Sequence, residues 1–158
     1  MFRFLRRAAF KGPNIALVLS SDGLYDAEAG IEDGYVFDIY PLRSRRRSAG
    51  YVSLRLGESA GLYYLGHIGY RVEPAFRGRG YAAQAVCLLI PLMQECGLQS
   101  VVITTNEDNV PSRKTCEKLG CVLESVVPVP ERYRKLCMGA RTKCRYILDV
   151  SERKYDAD

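Results

Sequence analysis

Six consecutive residues, Arg77-Gly78-Arg79-Gly80-Tyr81-Ala82, have the composition of a phosphate cradle. They follow a mostly apolar stretch, residues 68–72, and a Glu73-Pro74 turn, and they open a second apolar stretch with helical spacing. A strand, a glycine turn and a helix start, in that order, aim successive backbone N–H groups outward, and the helix dipole there favours negative charge. Glycine matters because a Cβ would hold a diphosphate away from the backbone. The plain alternative is a solvated basic turn, and the flanking strand and helix weigh against it.

The elements that must position this turn follow from pattern. Residues 2–5 and 15–19 are short apolar segments, the first read as a strand and the second of open type, with a break at Pro13-Asn14. Residues 20–34 are rich in Gly, Asp and Ser and are expected to be loop, with a short helix allowed. Residues 35–40 and 51–56 read as strands joined by a hairpin across Arg43-Ser44-Arg45-Arg46-Arg47. Residues 62–72 read as one long strand, in which Gly66 and Gly69 mark a bulge or a close backbone approach. Ala82, Ala85, Val86, Leu89, Leu92, Met93 and Cys96 then recur at helical spacing up to Gly97. Pro91 inside that run predicts a kink near Cys87 or an early helix end, since an interior proline costs roughly 3 kcal/mol. A buried strand is expected over 101–105. A second helix runs from an Asn109 N-cap, through Pro111, to a stop at Gly120. Strands over 121–127 and 143–149 flank a loop that begins at Pro128 and Pro130. The order predicts an α/β fold with a mixed sheet.

Composition bounds the rest. At 158 residues, 47% hydrophobic and 26% charged, the chain fits one soluble domain, read as 1–150 with a polar tail at 151–158. The longest apolar run, 85–90, is far too short to span a bilayer and stops at Pro91. The six cysteines (Cys87, Cys96, Cys116, Cys121, Cys137 and Cys144) have neither C-x-x-C spacing nor a histidine cluster, so no metal is expected. They read as buried thiols, which favours a reducing compartment such as the cytoplasm. The net charge is +5. The Arg43–Arg47 run reads as a solvated hairpin tip, though a basic face also attracts anions. Residues 1–21 carry Arg3, Arg6, Arg7 and Lys11 but no acid, and faintly resemble a targeting presequence. The alternating Phe2 and Phe4 make them part of the domain instead.

On two motifs the chain resembles the GNAT superfamily of N-acetyltransferases, and within it a subgroup of bacterial members. Arg77-Gly78-Arg79-Gly80-Tyr81-Ala82 fits that family's Arg/Gln-x-x-Gly-x-Gly/Ala acetyl-CoA motif. Asn109-Val110-Pro111-Ser112, ending in Glu117-Lys118-Leu119-Gly120, resembles its second element. Gly66-His67-Ile68-Gly69-Tyr70 adds to the likeness. The resemblance implies a single-domain, mostly antiparallel mixed sheet with helices on both faces, splayed at the cofactor site. It implies a pantetheine arm against Val72, a diphosphate on the N–H groups of Gly78, Arg79, Gly80, Tyr81 and Ala82 beside Arg77, and cofactor contacts from Asn109 and Ser112. Arg113 and Lys114, unfavourable to the dipole near a helix start, would be relieved by a CoA phosphate or simply by solvent.

The implied reaction is direct transfer of an acetyl group from acetyl-CoA to a primary amine. It needs a base, an oxyanion donor and a proton for the leaving thiolate. His67 and Glu73 are the candidates for base. His67 is the only histidine and has a suitable ordinary pKa, but a lone strand histidine is more often structural. Cys116 occupies the position where many members carry a tyrosine as general acid. A buried thiol is usually inert, so Tyr70, Tyr81, Tyr133 or solvent remain as sources of the proton. The expected partners are acetyl-CoA and a small-molecule or peptide amine, with a homodimer allowed and no membrane. A non-catalytic CoA-binding module is the alternative. A nucleic-acid-binding domain is the third reading, which the absence of RNP, helix-turn-helix and zinc patterns argues against.

Overall fold

The computed structural model describes residues 9–44 and 47–151. The strand expected at 2–5, Arg45 and Arg46, and the tail beyond Ser151 lie outside them. The described residues form β1 (Ala9–Lys11), β2 (Ile15–Asp22), β3 (Asp33–Pro41), β4 (Gly50–Leu56), α1 (Ala60–Leu65), β5 (Ile68–Val72), α2 (Tyr81–Glu95), β6 (Ser100–Thr105), α3 (Val110–Lys118), β7 (Val122–Pro128), α4 (Glu131–Arg134) and β8 (Thr142–Asp149). A 3-10 turn, Pro74–Phe76, links β5 to the glycine turn.

All eight strands make one open sheet in the order β1-β2-β3-β4-β5-β6-β8-β7. Every pairing is antiparallel except β5 with β6. The β3–β4 hairpin holds register from Asp33↔Leu56 to Ile39↔Gly50. Alternation sets its faces: Tyr35, Phe37 and Ile39 on β3 and Val52 and Leu54 on β4 are buried in the core under α2. Because β1 and β2 are strands of this sheet, the basic N-terminal stretch contributes two elements of the domain.

Helices cover both faces. On β8, Tyr146 Oη accepts from Arg113 of α3, while the adjacent Arg145 donates to the carbonyl of Tyr63 in α1. Neighbouring strand residues point to opposite faces, so α3 and α1 lie on opposite sides of the sheet. Under α1, Leu62 packs with Ala29 and Ile31 in a small second cluster.

Four expectations need correction. Residues 62–72 are not one strand: α1 occupies the first part, and only 68–72 is extended. Ser59 caps that helix, its Oγ accepting from Leu62 N–H at 3.1 Å, and Gly66 ends it at φ 83°. The two tyrosines between them have strand character, and the cap and stop residues override it. The loop expected over 20–34 is shorter, because β2 runs to Asp22 and β3 begins at Asp33. The early helix end at Pro91 does not occur, since α2 continues to Glu95. Leu89, Ile90, Leu92 and Met93 around the proline are buried. Each is worth about 1.5–3 kcal/mol when fully buried, and together they outweigh the proline's roughly 3 kcal/mol. The loop expected after Pro130 also contains the single-turn helix α4.

Candidate functional site

The parallel pair β5–β6 meets at one register point, Ile68↔Ile103. A close approach just before it needs glycine: a Cβ on Gly66 would lie 3.0 Å from the Val102 carbonyl. Beyond Ile68 the two strands part. On its other edge β5 stays zipped to β4 as far as Gly50↔Val72, and Glu73 N–H donates to the Ala49 carbonyl at 2.7 Å. In an antiparallel ladder, alternate residues then turn their polar groups away from β4. The backbone of Tyr70 and Val72 therefore faces the gap.

At this gap lies an open groove of about 750 Å³, a size ordinary for a small-molecule site. It is lined by Tyr70, Arg71, Val72, Phe76, Arg77, Gly78, Gly80, Tyr81, Ala82, Asn109, Pro111, Ser112 and Thr115. Of the nine residues expected at the cofactor, all but Arg79 line it. Gly78 and Gly80 sit at φ 80° and 73°, conformations that cost an L side chain about 1–2 kcal/mol. The N–H groups of residues 78–82 take no acceptor among the described residues. The turn's charge is one-sided. A Cβ on Gly80 would come 2.8 Å from Lys118 Nζ, and the guanidinium carbons of Arg47 and Arg79 lie 5.8 and 5.7 Å from the Phe76 ring centre. Cations gathered at a helix N-terminus are unfavourable until an anion arrives. The cradle, its free donors and its charge all fit a diphosphate.

Other residues have structural duties. Arg77 Nε donates to the Val72 carbonyl at 2.9 Å and ties the turn to β5. Asn109 Oδ1 caps α3 by accepting from Ser112 N–H at 3.2 Å. Arg113 donates to Tyr146 Oη at 3.1 Å and to the Glu107 carbonyl at 3.2 Å, so its donors are engaged away from the groove lining. Thr105 Oγ1, at the end of β6 beside the gap, is buried without a partner among the described residues.

The three proton-transfer candidates are not brought together. His67 lies before β5, outside the groove lining. Its Nδ1 accepts from Val102 N–H at 3.0 Å, and its Nε2 lies 3.6 Å from Glu58 Oε1. Burial lowers its pKa, and Glu58 opposes that only in part. The free lone pair is thus already used by the backbone. Glu73 is placed at the open end of the gap on the α1 face, 3.8 Å from Arg71 Nε. Cys116 is fully buried beneath the groove floor. A hydrogen bond with Cys121 and burial push its thiol far above the ordinary range, which leaves it a poor acid. Above it, Tyr70 Oη lies 2.8 Å from Ser112 Oγ and contacts the Cys116 thiol, and burial raises its pKa. Tyr70 lines the groove. Tyr81 also lines it, and Tyr133 stacks on Tyr64 elsewhere.

The sequence reading missed Phe76, Lys118 and Arg71 as parts of the site. An aromatic just before Arg77 and a lysine one turn from the helix stop were the available signals.

These features carry the chain into a family. Residues 19–122 match the family model described as an acetyltransferase (GNAT) domain, and the chain belongs to that family. Among solved structures, it is similar to the ribosomal-protein-S5-alanine acetyltransferase of Vibrio fischeri, at 20% identity and TM-score 0.58 over 77% of this chain and 64% of that one. It is similar to the microcin C7 self-immunity acetyltransferase in complex with acetyl-CoA and AMP, at 23% identity and TM-score 0.55 over 73% and 61%. It is also similar to RimJ of Mycobacterium smegmatis in complex with CoA-disulfide, at 20% identity and TM-score 0.58 over 78% and 56%. The chain thus spans less than two thirds of each of these three. A comparison with curated proteins found no match.

Proposed function

We propose that the chain is an acetyl-CoA-dependent N-acetyltransferase acting on a primary amine by direct transfer. The observation that carries the reading is the row of five N–H groups, 78–82, that take no acceptor among the described residues, at the start of α2 and beside the β5–β6 gap. Similarity to proteins solved with acetyl-CoA or CoA supports it. When bound, acetyl-CoA supplies a thioester whose acyl carbon accepts the amine.

The chain's own residues divide the work. Gly78, Arg79, Gly80, Tyr81 and Ala82 would hold the diphosphate by backbone donors, with Lys118 and Arg79 balancing its charge. Val72 N–H, on the free edge of β5, is aimed to hold the pantetheine arm or polarise an acyl oxygen. Asn109 keeps α3 in place and Ser112 orients Tyr70. Ser112 Oγ can donate to Tyr70 Oη, and the tyrosine's own proton, directed at the Ser112 carbonyl at 3.4 Å, would turn to a developing thiolate as a hydrogen bond. This replaces the acid role expected of Cys116. Glu73, at the open end of the gap, takes the proton the amine loses. His67 organises the junction of α1, β5 and β6. The six cysteines are thiols rather than disulfides, which fits a cytoplasmic location. No helix among the described residues is long and apolar enough to cross a membrane.

An assay of CoA thiol release over a panel of amines and peptide N-termini tests the reading. One thiol should appear per amide formed, and Glu73→Gln should lower kcat about 100-fold or more. If CoA binds but no amine is acetylated, the non-catalytic module is the correct reading.

A further inference from the structure

Three cations sit on the sheet face that carries α1, and they differ in what answers their charge. Arg145 on β8 is paired, with its Nε 3.0 Å from Glu124 Oε1 and its guanidinium 3.7 Å above the Tyr63 ring. Arg55 on β4 is half-buried. Its Nη1 donates to the carbonyls of Leu65 and Gly66 at 3.2 and 3.1 Å, and its head lies across β5, where a Cβ on Gly69 would come 2.3 Å from Nη2. These carbonyls end α1, and the dipole there favours a cation without cancelling a full charge. Lys143, two residues before Arg145 and so on the same face, is also half-buried. Neither Arg55 nor Lys143 forms an ion pair among the described residues.

Both flank the gap. Arg55 N–H bonds the His67 carbonyl at 2.7 Å where β4 meets the start of β5. On the other side Thr105, the last residue of β6, pairs with Cys144, so Lys143 lies one step beyond the end of β6. No carboxylate among the described residues lies within ion-pair distance of either cation: Glu107 accepts from Thr142 Oγ1 at 2.8 Å, Glu58 faces His67, and Glu73 faces Arg71. Cys137 adjoins both cations, but burial raises its thiol pKa and keeps it neutral. Burial also lowers the proton affinity of Arg55 and of Lys143, and Arg55 lowers that of Lys143 further. Half-buried charges are normally paired, as Arg145 is.

We infer that the missing anion arrives with the acceptor: the amine substrate carries a carboxylate, which Arg55 and Lys143 receive on the α1 face beside the gap. The inference rests on the acetyl-transfer reading and narrows its substrate class to carboxylate-bearing amines such as amino acids and acidic peptides. The same pair of cations repels polyamines and aminoglycosides. It also favours the neutral form of a nearby amine, which is the nucleophilic form.

Calorimetry on the CoA-saturated full chain tests this, with glycyl-aspartate and glycyl-asparagine amide as probes. The charged peptide should bind about tenfold tighter or more, the scale of a charge-assisted hydrogen bond. Arg55→Met and Lys143→Met should each bring the two peptides close to parity, with CoA affinity unchanged. Lys143→Met suffices if loss of the more buried arginine prevents folding. Equal binding of the two peptides, no binding of either, or a preference that survives Lys143→Met overturns the inference while the groove reading stands. Absence of CoA binding in the preceding titration overturns both.

Discussion

Tyr70 is the residue on which the proposed proton path turns. It reaches from β5 to the hydroxyl of Ser112 and the thiol of Cys116, which is why a strand tyrosine is proposed for the role first expected at position 116. Tyr70→Phe should lower kcat about 10- to 100-fold with little change in CoA affinity. Cys116→Ala should leave kcat within about threefold and cost stability instead, as core truncations do. Steady-state kinetics beside urea unfolding separates the two, and equal kcat losses would return the acid role to Cys116. His67 gives a second prediction at this scale. Its folded pKa is lowered, so between that value and the ordinary value of about 6.5 the unfolded chain binds more protons. Stability should therefore be full above about pH 6.5 and fall as the solution is acidified. In His67→Asn, whose Oδ1 can accept from Val102 N–H, thermal unfolding should lose part of that acid dependence, and acetyl transfer at neutral pH should persist. The turn at 77–82 was readable because glycines at left-handed positions and a following helix leave a local signature. The use of His67 was not, because its partners Val102 and Glu58 come from elsewhere in the chain.

At the scale of elements, local signals succeeded where one residue decides an end and failed where packing decides. Asn109 and Gly120 bracket α3 as expected, and the Asn109 side chain makes the cap. Ser59 and Gly66 bracket α1 by the same chemistry, but Leu62, Tyr63, Tyr64 and Leu65 between them read as strand and hid it. Pro91 is the opposite case, where burial of its neighbours carries α2 through a residue that should stop it. Because Pro91 is exposed and lacks the N–H that would reach Cys87, Pro91→Ala should stabilise the chain by about 1–3 kcal/mol in urea unfolding. A loss of stability would mean that the helix depends on the proline's geometry. The gap itself was legible only through resemblance. No residue pattern states that β5 and β6 pair at one point, since register is a property of two strands.

For the whole molecule, the proposed mechanism divides two tasks between the faces of the sheet. The α2–α3 face presents backbone donors and cations at a groove, and the α1 face presents Arg55, Lys143 and Glu73 at the other side of the same gap. Reactants approaching from opposite faces would meet where the strands part, which is what direct transfer between two bound substrates requires. The net charge of +5 draws anions towards both faces, and the binding of each should weaken as salt rises. The acceptor face was the least legible part of the sequence, because its charges come from β4, β8 and β5 and acquire meaning only through their register. The central claim is the CoA site at the α2 turn, and titration calorimetry with CoA tests it most directly. Gly78 has open space where a Cβ would stand, so Gly78→Trp should fold and fill the mouth of the groove. The account predicts saturable one-to-one binding by the natural chain and at least tenfold weaker binding by Gly78→Trp, with Tm lowered by only a few degrees. No heat at millimolar CoA, or equal affinity in the two proteins, would contradict it.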